Sequence, residues 1–530
     1  MKASYMEYSE TGQFASGVLR YLAQDTEAMS FAKYPPNLAG FKDLLSNKKV
    51  QTNRSVLVEV LQQQYNGLKT SAAVTQNIEA LAQENTFTIT TGHQLNLFTG
   101  PLYFIYKIAS AIALSKELKE AFPDKHFVPL YWMATEDHDF AEINHTYIHE
   151  KKLVWEKETS GATGQLSTND IGEILEAYQG ILGASPHALQ LAEWVEQAYT
   201  QHANLADATR YLVNKLFEKY GLVILDANHP ELKKQFSSII EEDICQQHSF
   251  RLINETTTRL QAAGFDTPVN PREINFFYLK EGLRERILRE DEQYQVVNTD
   301  IVFTESEIRT HIQNHPEAFS PNVVMRPLYQ ESILPNICYI GGGAELSYWL
   351  ELKSTFERYK LDFPIVLLRN SAQQVSASIA KKQEHLHLSA EVLFKPVDTL
   401  KKEWILSNTG KNLSLKNELN AFEEVFKTLG HRANEIDPSL VASAAAVETR
   451  LKKAMENLEK KLLKAEKRKH TGALEQLEKI HAHVFPRGGL QERSENFGPY
   501  FAGQGPAFID TLIENFHPLE GKFTLFQASK

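Results

Sequence analysis

Apolar and polar positions along the chain alternate between short apolar runs and amphipathic stretches. Residues 1–85 read as helical, rich in polar helix formers, as in Val56-Leu-Val-Glu-Val-Leu-Gln. The first strong strand pattern is Thr86-Phe-Thr-Ile-Thr-Thr91, which runs into Gly92-His93-Gln94. A helix is predicted to start after Gly100-Pro101, where the N–H that proline lacks would be unpaired anyway. That helix, from Leu102 to about Glu120, is apolar on a broad face (Leu102, Ile105, Ile108, Ala109, Ile112). A second strand follows in Phe127-Val-Pro-Leu-Tyr-Trp-Met-Ala134. Strand, loop, helix and strand in this order open a parallel, doubly wound sheet.

The pattern breaks twice and resumes twice. Residues 147–157 read as an isolated hairpin and 170–202 as two helices. A helix from about Leu205 to Tyr220, stopped by Gly221, leads into the buried strand Leu222-Val-Ile-Leu-Asp226. Residues 230–325 form a second interruption, with two helical segments and strand-like pieces around Phe276 and Tyr294. The sheet returns at Asn336-Ile-Cys-Tyr-Ile340 and again at Pro364-Ile-Val-Leu-Leu368. The predicted fold is therefore α/β, one parallel sheet with two insertions. Its segments are 1–145 (N-terminal helices and first half of the core), 146–204 (insertion), 205–229 (core), 230–325 (insertion) and 326–371 (core completed).

From 372 to 484 long polar helices take over. Leu451, Met455, Leu458, Leu462 and Ala465 are spaced 4-3-4-3, a heptad seam flanked by Lys and Glu. The favoured reading is an antiparallel hairpin within the chain, its partner helix near 374–392 or 415–430, that also offers a dimer surface. Residues 485–530 turn irregular and aromatic and are expected to pack on the body.

Composition narrows the function. The 530 residues are 42% apolar and 23% charged, ordinary for a globular protein of several core-sized units. A net charge of −11 argues against a nucleic-acid partner but leaves local basic pockets open. The N-terminus lacks the apolar core of a signal peptide, and no run reaches the roughly 18 apolar residues of a membrane span, so no membrane partner is expected. Cys245 and Cys338, far apart and read as core residues, suit a reducing cytoplasm.

Four turns carry the candidate chemistry. Ligands of open α/β sheets bind beyond the carboxyl ends of the strands, where all four lie. In the first, Gly92 would let backbone approach a phosphate, and His93 and Gln94 could donate to its oxygens. The helix start at Gly100 would favour an anion, and Lys107 lies about two turns inside. Asn96 and Thr99 complete this candidate binding set. The alternative is a capped tight turn with a structural histidine. In the second turn, Glu136-Asp137-His138-Asp139 with Glu142, Asn144, His145 and His149 could hold Mg²⁺ or orient an amine or sugar hydroxyl. Zinc through His138 with His145 or His149 is conceivable, but the spacing fits no standard zinc motif, and a solvated acidic turn capping a helix is the plain alternative. In the third, Gly341, Gly342 and Gly343 admit a flat ring or a phosphate, and Glu345 could recognise an amine or ribose hydroxyl; the alternative is a tight strand–helix connection. In the fourth, Arg369 with Ser371 ends the last strand and could meet phosphate or carboxylate, as could Arg326; the favoured alternative for either arginine is a surface or ion-pair residue.

The string Thr91-Gly-His-Gln-Leu-Asn-Leu-Phe-Thr-Gly-Pro-Leu-Tyr103 resembles the first signature of the bacillithiol-biosynthesis cysteine-adding enzymes. Trp132 with Glu136-Asp-His-Asp-Phe140 and Glu142-Ile-Asn144-His145 resembles the second. The glycines before Glu345, the Leu367-Leu-Arg369 strand end and Phe485-Pro-Arg-Gly-Gly-Leu-Gln-Glu-Arg493 are similar too. One departure is His93, where the family pattern leads one to expect Gln. The resemblance implies a Rossmann-like core with two connecting-peptide insertions and a coiled-coil domain supporting a homodimer. It also implies a ligase that adds cysteine to glucosaminyl-malate. On that reading ATP is the activating substrate, with Mg²⁺ as a possible companion. His93, Gln94 and the 100–107 helix start would hold phosphate, and Gly341, Gly342, Gly343 and Glu345 the adenosine. Asp137, His138 and Asp139 would position or deprotonate the amine. The competing readings are a metal-dependent hydrolase or transferase built on Glu136–His149, and a non-catalytic scaffold.

Overall fold

The computed structural model describes residues 2–528. The chain divides into two compact units: residues up to 374 together with 489–526, and residues 375–488 together with those from 527 on. The first is built on five strands, β1 (Thr86–His93), β2 (His126–Met133), β3 (Val223–Asp226), β4 (Asn336–Gly341) and β5 (Ile365–Leu368). All neighbours are parallel and the order is β5-β4-β1-β2-β3. The chain moves outward from β1 through β2 to β3, then returns to β1's other side with β4. The winding therefore reverses between β1 and β4, and the crevice at their carboxyl ends is the natural ligand position of such a sheet.

Burial on both faces explains the apolar runs. Phe87 and Ile89 of β1, Ile337 and Ile340 of β4 and Ile365 and Leu367 of β5 pack with Leu114 and Leu118 of helix α1 (Leu102–Ala121) and with Phe41. The threonines of β1 are buried too. Thr88 and Thr90 donate to Asn336 Oδ1 at 3.1 and 2.8 Å, and Thr91 to the Ile340 carbonyl at 2.8 Å. These bonds stitch β1 to β4 and remove the desolvation cost of three hydroxyls. Cys245 and Cys338 are both buried.

The start of the chain departs from the helical expectation. Lys2–Glu7 is a strand beside Lys522–Gln527, a pairing partner more than 500 positions away that local pattern cannot reveal. The second insertion combines the helices Ser237–Gln246, His248–Ala262 and Glu305–Asn314 with an antiparallel sheet of five strands, in which Phe276–Lys280 and Leu283–Glu290 form a hairpin in register Phe277↔Arg286. Its longest strand, Leu283–Glu290, reads as charged and went unpredicted.

In the second unit α3 (Lys416–Ile436) and α4 (Leu440–Lys469) fold back on each other as a hairpin joined by residues 437–439, with Lys452 and Glu423 paired at 2.7 Å. Of the heptad seam only Met455 is shielded in this hairpin. Phe426 is buried on α3, and the α4 positions shielded with it include Ala444, Glu448, Met455 and Glu459. Leu451, Leu458 and Leu462 stay 39, 50 and 37% exposed. The hairpin uses the face beside the leucine stripe and leaves the stripe to solvent. No helix among the described residues is long and apolar enough to cross a membrane.

Candidate functional site at the reversal of the sheet

The turns after β1, β2, β4 and β5 all reach one cavity of about 740 Å³, a volume suited to a cofactor-sized ligand. Gly92, His93 and Gln94 form its floor beside β1, Glu136 and Asp137 come from β2, Gly342, Gly343 and Glu345 from β4, and Arg369 from β5.

The reversal point is closed by a buried network. Lys107, from inside α1, donates to the Gly92 carbonyl at 2.9 Å and pairs with Glu345. Glu345 also accepts the Gly342 N–H at 2.8 Å and the Tyr339 hydroxyl at 2.5 Å. Burial alone would raise the Glu345 carboxyl, yet Lys107, the Gly342 N–H and Tyr339 hold it below its ordinary value. Lys107 is pushed down by burial, against the pull of Glu345. The glycines serve this packing: a Cβ on Gly341 would lie 2.8 Å from Glu345 Cβ, and one on Gly92 3.1 Å from the Tyr339 hydroxyl. Lys107 is thus a bridge between α1 and the β4 turn, its charge already matched.

His93 lies against Tyr103 and Phe104, and its Nε2 is buried with no hydrogen-bond partner. Burial, then Lys107, Arg369 and Arg326, hold the ring well below the usual imidazole range, so it is neutral at neutral pH. Gln94 donates to Asp137 Oδ2 at 2.9 Å and to Glu142 Oε2 at 2.8 Å. Its amide is committed to carboxylates rather than open to phosphate. Asp137 would be raised by burial but is lowered by Gln94, Arg284 and Arg326. His138 Nδ1 accepts from Arg284 Nη1 at 2.6 Å, which places the ring proton on Nε2. Asp139 caps a short helix through the Glu142 N–H, the plain alternative for an acidic turn. Glu136 pairs with Lys233, a fully buried lysine that also donates to the Phe319 carbonyl at 2.8 Å.

Several candidates lie away from the cavity. Asn96, Thr99 and Gly100 are packed under the C-terminal segment, where Asn496 Nδ2 donates to the Phe98 and Gly100 carbonyls at 2.9 and 2.8 Å. The first helical N–H of α1, on Leu102, donates to the Glu495 carbonyl, so protein already occupies the helix start that was expected to favour an anion. Asn144 faces His145, and Gly341 is covered by Glu345. Ser371 is buried between Arg369 and Glu492. Along Glu136–His149, Asp137 and Glu142 share the Gln94 amide while Glu136, His138 and Asp139 turn to Lys233, Arg284 and the Glu142 N–H, and no metal-ligand cluster is found among the described residues.

Sequence reasoning missed the part of the cavity's charge that the second insertion supplies. Arg272, Arg284 and Arg286, all from the second insertion, join Arg326, Arg369, Arg493 and Lys107 on the wall, against four acidic residues, Glu136, Asp137, Glu142 and Glu345. Arg284 lies 4.0 Å over the Phe277 ring and donates to Ser320. Arg326 has no carboxylate within ion-pair distance among the described residues, and its guanidinium stays charged through Tyr348, Tyr339 and Asp137 despite burial. The one available signal was the alternation Leu283-Arg-Glu-Arg-Ile, which puts Arg284 and Arg286 on one face of a strand.

Comparison with known proteins agrees with this architecture. Residues 1–370 match the family described as bacillithiol biosynthesis BshC, N-terminal Rossmann-like domain, and residues 372–528 match its C-terminal coiled-coil domain. A protein of Flavobacterium johnsoniae is 44% identical over 99% of both chains. One from Cytophaga hutchinsonii is 38% identical over 96% of both, and one from Bacillus anthracis 29% identical over 98% of this chain and 99% of its own. Each carries the name "Putative cysteine ligase BshC". With both domains matched in order and relatives aligned from end to end, the chain belongs to the BshC family of bacillithiol biosynthesis.

Proposed function

We propose that this protein is an ATP-dependent ligase that joins the carboxyl group of cysteine to the amine of glucosaminyl-malate. The observation that carries the reading is electrostatic. An acidic chain gathers seven cationic side chains, Lys107 and Arg369 among them already ion-paired, against four acidic ones on the wall of one cavity at the reversal point of its sheet. Both proposed partners of cysteine are anionic, one through phosphates and one through malate carboxylates.

Amide formation from a free carboxylate in water is uphill, so the carboxyl must first be activated. A cysteine carboxylate oxygen attacks the α-phosphorus of ATP, the bond to pyrophosphate breaks, and cysteinyl-adenylate forms. The glucosamine amine then attacks the carbonyl carbon and AMP leaves. The buried, unpartnered His93 Nε2 and the carboxylate-free Arg326 fit a polyphosphate, which would supply their missing partner. Arg284 and Arg286 suit the malate carboxylates. Asp137, held ionised, accepts the amine's proton, and His138 acts as a donor because Arg284 occupies its Nδ1. Mg²⁺ would travel with the phosphates, with Asp137 and Glu142 as the wall's oxygen donors. The exposed leucine stripe of α4 supports a homodimer, since a row of apolar side chains at heptad spacing is stable once a second copy covers it.

Cysteine-dependent exchange of labelled pyrophosphate into ATP tests the adenylate step. Absence of exchange together with ADP and phosphate as products would replace it with an acyl-phosphate route.

A further inference from the structure

Doubly wound sheets commonly seat a phosphate at their reversal point, on the N–H groups that open a helix. Here that position is filled from within. The helix α2 (Gly343–Leu350) follows β4, and Glu345 in its first turn folds its carboxylate back over the helix start. The carboxylate takes the Gly342 N–H at 2.8 Å, the Tyr339 hydroxyl at 2.5 Å and the Lys107 ammonium. A helix-start N–H, a phenol and an ammonium are the donors an oxyanion requires.

We propose that Glu345 is a resident anion, which occupies the phosphate position of the crevice, excludes phosphate from α2 and leaves that corner to a neutral donor such as a sugar hydroxyl. Three observations carry this. The glycines before α2 make room for Glu345 itself, since a Cβ at Gly341 would collide with the Glu345 side chain. Both side chains reach the cavity wall, but Glu345 is 23% exposed and Lys107 only 5%, so a ligand meets chiefly the carboxylate. A carboxylate offers about four acceptor positions, and three donors are in place, which leaves room for one more N–H or O–H but repels a phosphate. Nucleotide phosphates are thereby directed toward Arg326 and His93, and the ribose toward α2. The inference rests on the nucleotide reading above and deepens it.

Calorimetric titration of the full-length protein with inorganic phosphate tests the idea without ATP or cysteine. Wild type is compared with Glu345→Gln and with the Lys107→Met/Glu345→Gln double variant. Removing the resident charge should strengthen phosphate binding at least tenfold, and removing Lys107 as well should abolish that gain. Unchanged or weaker binding by Glu345→Gln overturns the proposal, and so does a gain that survives the loss of Lys107. Thermal melting checks folding, and Glu345→Ser is read in the same way if Glu345→Gln does not fold. Failure of pyrophosphate exchange would count against the adenylate step while leaving this titration interpretable.

Discussion

Arg369 and Glu492, 123 positions apart in sequence, meet at 2.7 Å with almost no exposure of either side chain. Glu492 also accepts from Ser371 Oγ and from the Ala372 N–H, each at 3.0 Å. The last core strand thus ends on a charge whose partner arrives only after the whole helical unit has been traversed. Arg369 in turn lies 5.3 Å over Tyr103 at the cavity wall.

Truncating one member of such a pair leaves the other charged and buried. Glu492→Ala is expected to destabilise the first unit by about 3–5 kcal/mol, read from urea unfolding. Replacing both residues together, as Arg369→Met/Glu492→Leu, should recover much of that loss. A double variant no more stable than Glu492→Ala would show that hydrogen bonds to the backbone, not the ion pair, set the cost.

Arg326 should behave in the opposite way. With no carboxylate to neutralise it, Arg326→Met is expected to leave the ligand-free protein as stable as wild type or slightly more so. The same change should weaken ATP binding about 10- to 100-fold, the span of a lost charged hydrogen bond. Equilibrium binding and thermal melting on one preparation separate the two effects. A large loss of stability would mean that the guanidinium is a structural group.

Glu351 offers a pH test. It is fully buried, and burial, only partly offset by Thr257 and the Val269 backbone, pushes its carboxyl up to about 7. In the unfolded chain the group ionises near pH 4.3. Between those values the folded protein holds the proton that the unfolded chain has released, so stability falls as pH rises through that window. Glu351→Gln, which imitates the protonated form, should remove this slope and be more stable than wild type above pH 7, by on the order of 2–3 kcal/mol. Parallel slopes for the two proteins from pH 5 to 8 would contradict this.

The α4 stripe predicts assembly. Wild type should sediment as a dimer and Leu451→Glu/Leu458→Glu/Leu462→Glu as a monomer with unchanged helix content. A wild-type monomer at micromolar concentration would remove the dimer from the functional reading.

Local pattern was enough for the elements that are buried on both faces. Runs such as Thr86–Thr91 and Pro364–Leu368 must be strands, because continuous apolar or hydroxyl-bearing stretches of that length fit only the middle of a parallel sheet. Their order along the chain, interleaved with helices, made the parallel sheet and its four turns legible, but not the strand order that puts the reversal between β1 and β4. Partners distant in sequence were not. The arginines of Leu283–Glu290 look like a solvated strand until the insertion folds over the cavity, and Lys107 looks like a phosphate ligand until Glu345 is seen to match its charge.

The amino-acid sequence by itself determined the α/β core, its two interruptions, the helical unit and the family. Periodicity and strings of turn residues are local properties, written into consecutive positions. Only the tertiary structure decided which charges are free to meet a ligand and which are already paired, and which face of α4 remains open. Charge matching and burial depend on distances between residues hundreds of positions apart, and no local pattern records those distances.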